Sequence, residues 1–226
     1  MVSMNESLFA LHLLLLIGTS LGMLRAGREA LITWVALQAI LANLFVLKQM
    51  EFFGFTITCS DLFAVGGILG LNLLQEFFGP QSAKQATRIC FLCMLIFALM
   101  SQMHLLYHPS PMDTAQLSYQ TLLSPAPRLL IASLLTFLIV QQLDLRLFAK
   151  LRLRLSHWPL WLRNGTTLTL SQGLDTLLFS LLGLYGLVTH LPDIILMSFC
   201  IKLLIISGLT PISLLAKKYG PLPSAR

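Results

Sequence analysis

Charge is what this chain has least of. Lys, Arg, Asp and Glu make up 11% of its 226 residues, against about a quarter in ordinary globular chains. A domain of this length cannot cover a water-facing core with so few charges, which excludes a soluble fold. Cysteine is scarce as well. Cys59, Cys90, Cys93 and Cys200 all lie inside apolar runs, which argues against a disulfide framework or a zinc site. Cys90-x-x-Cys93 has redox spacing, but without a βαβ context it reads as two thiols within one helix. Signatures of catalysis are missing too. The sequence contains no P-loop, H-E-x-x-H or repeated-Asp phosphotransferase motif, so no enzyme, metal site or cofactor is expected.

What the chain does have is 56% hydrophobic residues, arranged in long blocks. A helix needs about 20 mainly apolar residues to cross ~30 Å of hydrocarbon. Seven runs qualify: Leu8–Leu24, Leu31–Leu47, Phe55–Phe78, Ile89–Leu106, Leu129–Leu147, Thr167–Val188 and Ile194–Leu215. Barrel strands would alternate at period two; these runs are continuous, so the expected class is an all-α, polytopic transmembrane bundle in one domain, 1–226. Met1–Ser7 carries only Glu6 and no A-x-A site follows the first run, so that run is expected to be a retained span. Tyr107–Pro127, with Pro109, Pro111, Pro125 and Pro127, reads as an external loop without regular structure. Leu147–Arg163, with Arg152, Arg154, Trp158 and Trp161, reads as a basic internal loop at the headgroups.

The basic residues test the count. With the N-terminus outside, one side collects Arg25, Arg28, Lys84, Arg88, Arg146, Lys150, Arg152, Arg154, Arg163, Lys217, Lys218 and Arg226. The other side collects Lys48 and Arg128, and Lys202 falls within a span. Cytoplasmic segments are enriched in Lys and Arg, so seven spans with the C-terminus inside fit best. The net charge of +6 therefore reports orientation before it reports a partner, and a nucleic-acid role is not expected.

Polar residues inside spans carry the functional information, because an ionisable group at the bilayer centre costs roughly 2.5–3.5 kcal/mol on insertion scales. Asn72 and Glu76 are spaced i, i+4 and share a helix face. Gln141 and Asp144 are i, i+3 neighbours, as are Gln172 and Asp175. At 1.5 Å per residue Asp175 lies ~12 Å from the inner boundary and Lys202 ~12 Å from the outer one. In a ~30 Å core those levels differ by ~6 Å, a gap a lysine side chain spans. An Asp175–Lys202 ion pair or shared polar site follows, either structural or ligand-facing. Asp144 is alternatively a boundary carboxylate beside Arg146, and Asp61 reads as an interfacial or helix-capping residue. Gly18-x-x-x-Gly22 and Gly66-x-x-x-Gly70 suggest close helix packing. His104, His108 and His190 gather toward the outer face without metal-ligand spacing. Amides beside carboxylates suit a flat heterocycle with an amide edge and an amine edge, although sugars and peptides could use the same groups.

At these residues the chain resembles the queuosine precursor transporter family, which is grouped with the vitamin uptake transporters. The resemblance runs from about Leu31 to Leu215 and leaves the first span, 8–24, as an addition to a six-span core. It rests on Asn43 and Lys48 before the turn Phe52-Phe53-Gly54-Phe55, then on Asn72-Leu-Leu-Gln-Glu76-Phe-Phe78-Gly79. Arg128-x-x-x-Ala132-Ser133, Gln141-x-x-Asp144 with Phe148, and Leu160-Trp161-Leu162-Arg163 come next. Ser171-Gln172-x-x-Asp175-Thr176 with Phe179, and Lys202 with Pro211, complete it. The resemblance implies import of a 7-deazaguanine (the 7-cyano or 7-aminomethyl base, or queuine) across a bacterial inner membrane for tRNA modification. It also implies similarity to the substrate-binding subunits of energy-coupling-factor importers, so a subunit for another vitamin-like molecule is the alternative, with an energy-coupling module or a second copy as conceivable partners. The substrate-facing set it implies is Asn72, Glu76, Arg128, Gln141, Asp144, Gln172, Asp175 and Lys202. Asn72 stands where the family carries Asp, and Val65 where many members carry Pro. The first change removes a charge that would pair with an exocyclic or aminomethyl nitrogen.

Overall fold

Gly27, at φ 109°, turns the first helix directly back into the second, a reversal that L side chains resist. The computed structural model describes residues 4–154 and 160–204. Side chains at 141–142, 144–154 and 160–168 lie outside that description. The elements are α1 (Met4–Ala26), α2 (Arg28–Phe45), β1 (Gln49–Phe52), β2 (Phe55–Thr58), α3 (Asp61–Phe78) and α4 (Pro80–Leu105). They continue with α5 (Gln116–Leu123), α6 (Ala126–Arg154), α7 (Leu160–Phe179), a π-turn (Ser180–Leu184) and helix α8 at 191–204. Among the described residues five stretches are long and apolar enough to cross a membrane: Met4–Ala26, Arg28–Phe45, Asp61–Phe78, Pro80–Leu105 and Gln116–Val140. The chain is a helical, multi-pass membrane bundle. Pro211 and Lys217, Lys218 and Arg226 lie outside the described residues.

Helix α2 is central and packs against α1, α3, α4 and α6. Its contact with α3 is set by two glycines. A Cβ at Gly66 would stand 2.6 Å from Gln38 Oε1, and one at Gly70 would stand 2.7 Å from Val35 Cγ2. The second glycine pair behaves differently. Gly18 and Gly22 have nothing within 4 Å of a built Cβ, because they lie on the exposed side of α1. Small residues permit close approach only where another helix presses on that face. The core joins α1 to α4 through Leu24, Leu31, Val35, Leu69, Leu74 and Ala86, and Ile201 of α8 reaches it as well.

Three expectations from the sequence are corrected. The run Phe55–Phe78 does not begin as a helix: Phe55–Thr58 pairs antiparallel with Gln49–Phe52, Met50 opposite Ile57. Phe53 and Gly54, at φ 49° and 82°, form the two-residue loop, and positive φ at both central positions is the hairpin geometry that follows strand twist. Tyr107–Pro127 contains a helix, α5. Leu147–Arg163 is not a long loop, since α6 runs to Arg154 and α7 starts at Leu160. No Gly or Pro occurs from Arg128 to Trp158, so nothing local stops α6. Trp158 lies outside the described residues, as do the side chains of Arg152, Arg154 and Trp161.

The hairpin is tied to both ends of the fold. Asn5 Nδ2 donates to Glu51 O at 2.9 Å, Phe53 N to Glu6 Oε1 at 2.9 Å, and Thr189 Oγ1 to Gln49 Oε1 at 2.8 Å. Phe53 is 64% exposed yet holds a left-handed backbone that costs a phenylalanine about 1 kcal/mol. Asn tolerates that region and suits this turn position. Phe53→Asn is therefore expected to stabilise the protein by ~0.5–1 kcal/mol, seen as a higher midpoint in a thermal melt of the purified protein. An unchanged or lower midpoint counts against the turn assignment.

Candidate functional site

A cavity of about 280 Å³ opens where α2, α3, α4, α6, α7 and α8 converge. It lies toward the end of the bundle that carries the hairpin, since its liners include Val46 just past α2, Thr58 and Ser60 before α3, and Leu184 of the π-turn. Its size is at the small end of ligand pockets, roughly 300–1,000 Å³. Phe91, Phe137 and Phe179 supply aromatic wall, with the Phe91 and Phe137 rings 5.1 Å apart and edge-on. Ser133, Thr136, Thr176, Ser180 and Ser198 supply hydroxyls.

The charged groups on its wall are Asp61, Asp175 and Lys202. Lys202 Nζ lies 2.7 Å from Asp175 Oδ2 and 3.0 Å from Thr176 Oγ1. The ion pair expected from the depth of the two residues is present, and it joins α7 to α8. Lys202 is 12% exposed and Asp175 33%, so the ammonium is the deeper member. Gly173, two residues earlier on α7, lets Phe199 approach to 3.3 Å of a built Cβ, which brings the two helices close together. Asp61 occupies the first turn of α3 and is 8% exposed. Ser198 Oγ donates to its Oδ1 at 2.7 Å, while Oδ2 is buried with no partner among the described residues. Thr136 Oγ1 is the second such atom in this cavity.

The remaining expected residues fall elsewhere. Asn72 and Glu76 do share a face of α3, but it is an exposed one. The buried face carries Asp61, Leu62, Val65, Gly66, Leu69, Gly70 and Leu73, and six residues beyond a buried glycine the helix has turned some 240° away. Arg128 is exposed and donates from Nε to Leu182 O at 3.0 Å and from Nη2 to Tyr185 O at 2.7 Å. It thereby satisfies carbonyls in and just past the π-turn that follows α7. Gln172 is half-buried and does not line this cavity. Gln141 and Asp144 lie on α6 where side chains are outside the described residues, and so does that of Arg146.

Asp61, Asn43, Thr136 and Ser198 are among the polar cavity residues that spacing alone did not assign. Ser198 and Lys202 are i, i+4 on α8 and share a face, which is the signal that could have found Ser198. Asn43 appears in the resemblance but looks like a helix end. In the structure its Nδ2 bonds back to Ala39 O at 2.9 Å while the residue lines the cavity. All four cysteines are free, and Cys90 lines the cavity. Outside the spans, burial raises the Cys59 pKa, with Lys48 opposing and Asp61 adding to the rise, so it is a protonated thiol at neutral pH. His104 meets the Tyr119 ring edge-on at 5.4 Å, an interfacial aromatic contact.

Comparison with known proteins agrees with a multi-pass membrane protein. No solved structure matches the chain. A protein of Bacillus subtilis (strain 168) named "Probable queuosine precursor transporter" is 32% identical over 162 residues, 71% of this chain and 71% of its own. The model of the family described as "Putative vitamin uptake transporter" matches residues 59–216, which takes in α3 to α8 together with Asp61, Asp175 and Lys202. The chain belongs to that family, and it is a membrane transporter, not an enzyme.

Proposed function

We propose that the protein imports a queuosine precursor, a 7-deazaguanine base, and binds it in the 280 Å³ cavity. The observation that carries this reading is the pairing of aromatic walls (Phe91, Phe137, Phe179) with buried acid, ammonium and hydroxyl groups. A planar base presents apolar faces to the first and a donor–acceptor rim to the second. The name of the Bacillus subtilis relative supports the choice of base. In this reading Lys202 neutralises Asp175 and the pair forms a polar wall against the ligand. Of the residues the resemblance implies, Asn72, Glu76, Arg128 and Gln172 stand away from that wall, while Asp175 and Lys202 border the cavity. Gln141 and Asp144 are candidates on α6.

The reading includes a topology of seven spans, with the N-terminus outside and the C-terminus in the cytoplasm of a bacterial inner membrane. The distribution of basic residues supports it. The hairpin and the cavity then face the exterior half of the membrane, where an imported ligand arrives. Expression in a strain unable to make the precursor, with each base supplied in turn, tests the substrate. Queuosine is expected to reappear in tRNA with at least one of the 7-cyano base, the 7-aminomethyl base and queuine. No rescue by any of them, with the protein confirmed in the membrane, defeats the proposal. The family description, a vitamin uptake transporter, leaves room for a second reading, in which the protein is a binding subunit of an energy-coupling-factor importer for another vitamin-like molecule. Copurification with a transmembrane coupling subunit and its ATPases would select it.

A further inference from the structure

Among the described residues three charged side chains line the cavity, and two of them pair with each other. Lys202 gives its contact to Asp175 Oδ2 and Thr176 Oγ1. Among the described residues the Asp61 side chain accepts one hydrogen bond, from Ser198 to Oδ1. Its other oxygen is buried without a partner among the described residues, although the whole residue is only 8% exposed. A carboxylate oxygen left unbonded in a dry site is expensive. It is tolerated where a ligand completes it, as functional groups inside membranes commonly are. The neighbouring orphan, Thr136 Oγ1, lies on α6, while Asp61 is on α3 and Ser198 on α8. Two incomplete polar groups on different helices therefore border one cavity whose remaining wall is largely apolar.

We infer that Asp61 is the carboxylate that reads the substrate, accepting a hydrogen bond from an N–H donor of the ligand at Oδ2, while Asp175 is reserved as the counter-ion of Lys202. Ser198 is a positioning residue: its hydroxyl occupies Oδ1 and aims the other oxygen. Among the described residues the cavity then carries two acids to one base, a balance that selects against anions. The donor has two sources in a 7-deazaguanine, the N–H edge of the pyrimidinone ring or an ammonium on the 7-substituent. This inference rests on the substrate reading above and specifies which group makes the contact.

The test is binding of 7-cyano- and 7-aminomethyl-7-deazaguanine to the purified full-length protein in nanodiscs. Asp61→Asn keeps the shape, the Ser198 contact and the fold, but replaces the acceptor charge. A charge-assisted hydrogen bond corresponds to about 10- to 100-fold in affinity. If Asp61 reads the ring edge, both bases lose that factor together. If it reads the ammonium, the aminomethyl base alone loses it, and the two affinities converge. Either result supports the assignment. Binding of both bases at wild-type affinity by a monodisperse Asp61→Asn protein overturns it and leaves the substrate reading intact. Failure of the wild-type protein to bind either base overturns both. Should Asp61→Asn not yield folded protein, Ser198→Ala carries the same comparison with an expected loss of about 3- to 10-fold, and no loss overturns the inference.

Discussion

Lys202→Ala is expected to abolish precursor uptake and to destabilise the protein by ~2–3 kcal/mol. Removing one member of a buried ion pair costs about 3–5 kcal/mol, because the other charge is left without its partner. The lower figure applies here because Asp175 is 33% exposed and water can partly rehydrate it. The ammonium also leaves Thr176 Oγ1, 3.0 Å away, without its donor. Asp175→Ala should cost at least as much, since Lys202 is the more buried member at 12% exposed. The double variant separates stability from binding. Removing both charges is expected to bring the unfolding midpoint most of the way back, as apolar replacements of buried pairs do, while uptake stays absent. Return of uptake in the double variant would make the pair purely structural. The two readouts are a thermal melt in detergent and queuosine in tRNA of the precursor-deficient strain.

Gly70→Val is expected to cost ~3 kcal/mol or more and to abolish uptake with it. The added Cβ alone would lie 2.7 Å from Val35 Cγ2 and 3.3 Å from Trp34 Cδ1. Both neighbours are buried, and Val35 is β-branched with little freedom to move aside. Overpacking a tight contact costs about 1–3 kcal/mol per modest insertion, and the branched γ-carbons add to it. The consequence reaches the site because α2 and α3 supply opposite parts of its wall, Ala39, Ala42 and Asn43 from one and Asp61 and Ala64 from the other. Gly66→Ala should be milder. Its closest neighbour is Gln38 Oε1 at 2.6 Å, the far end of a side chain that can swing. Gly18→Val is the control, with nothing within 4 Å and an expected change within about 0.5 kcal/mol. Equal losses at Gly18 and Gly70 in the melt would contradict this account of the α2–α3 contact.

The site was legible in part, and the division is instructive. Asp175 and Lys202 were readable because helix rise converts sequence position into depth, and two opposite charges at nearby depth inside hydrocarbon are strongly driven together. Asn72 and Glu76 illustrate the limit of the same reasoning. Spacing of i, i+4 shows that two residues share a face, yet it does not say which neighbour, if any, that face meets. Asp61 was obscured for another reason. An aspartate in a first helical turn looks like a cap, and only the passage of α8 across α3 puts Ser198 2.7 Å from it and turns it toward the cavity. The hairpin was hidden because Phe-Thr-Ile-Thr, four residues from Phe55 to Thr58, continues the apolar run of α3 in composition. Its cue was the Phe53-Gly54 loop.

The scarcity of charge, 11% of residues, together with the continuous apolar runs, was sufficient to establish a helical membrane protein. Backbone groups in lipid must be satisfied within the segment, so apolar runs of span length have few alternatives to helix. Depth along each helix followed from the same regularity, and with it the ion pair. Tertiary structure decided which faces meet. Lipid is as apolar as a leucine side chain, so hydropathy cannot distinguish the packed side of a span from the lipid side. Close contacts do: Gly66 and Gly70 against α2, Gly173 against Phe199, Arg128 on the carbonyls of the π-turn and its end. Those contacts gather Asp61, Asp175 and Lys202, from three helices, around one cavity. The few charges that betray the membrane fold thus acquire a common address only when the helices pack.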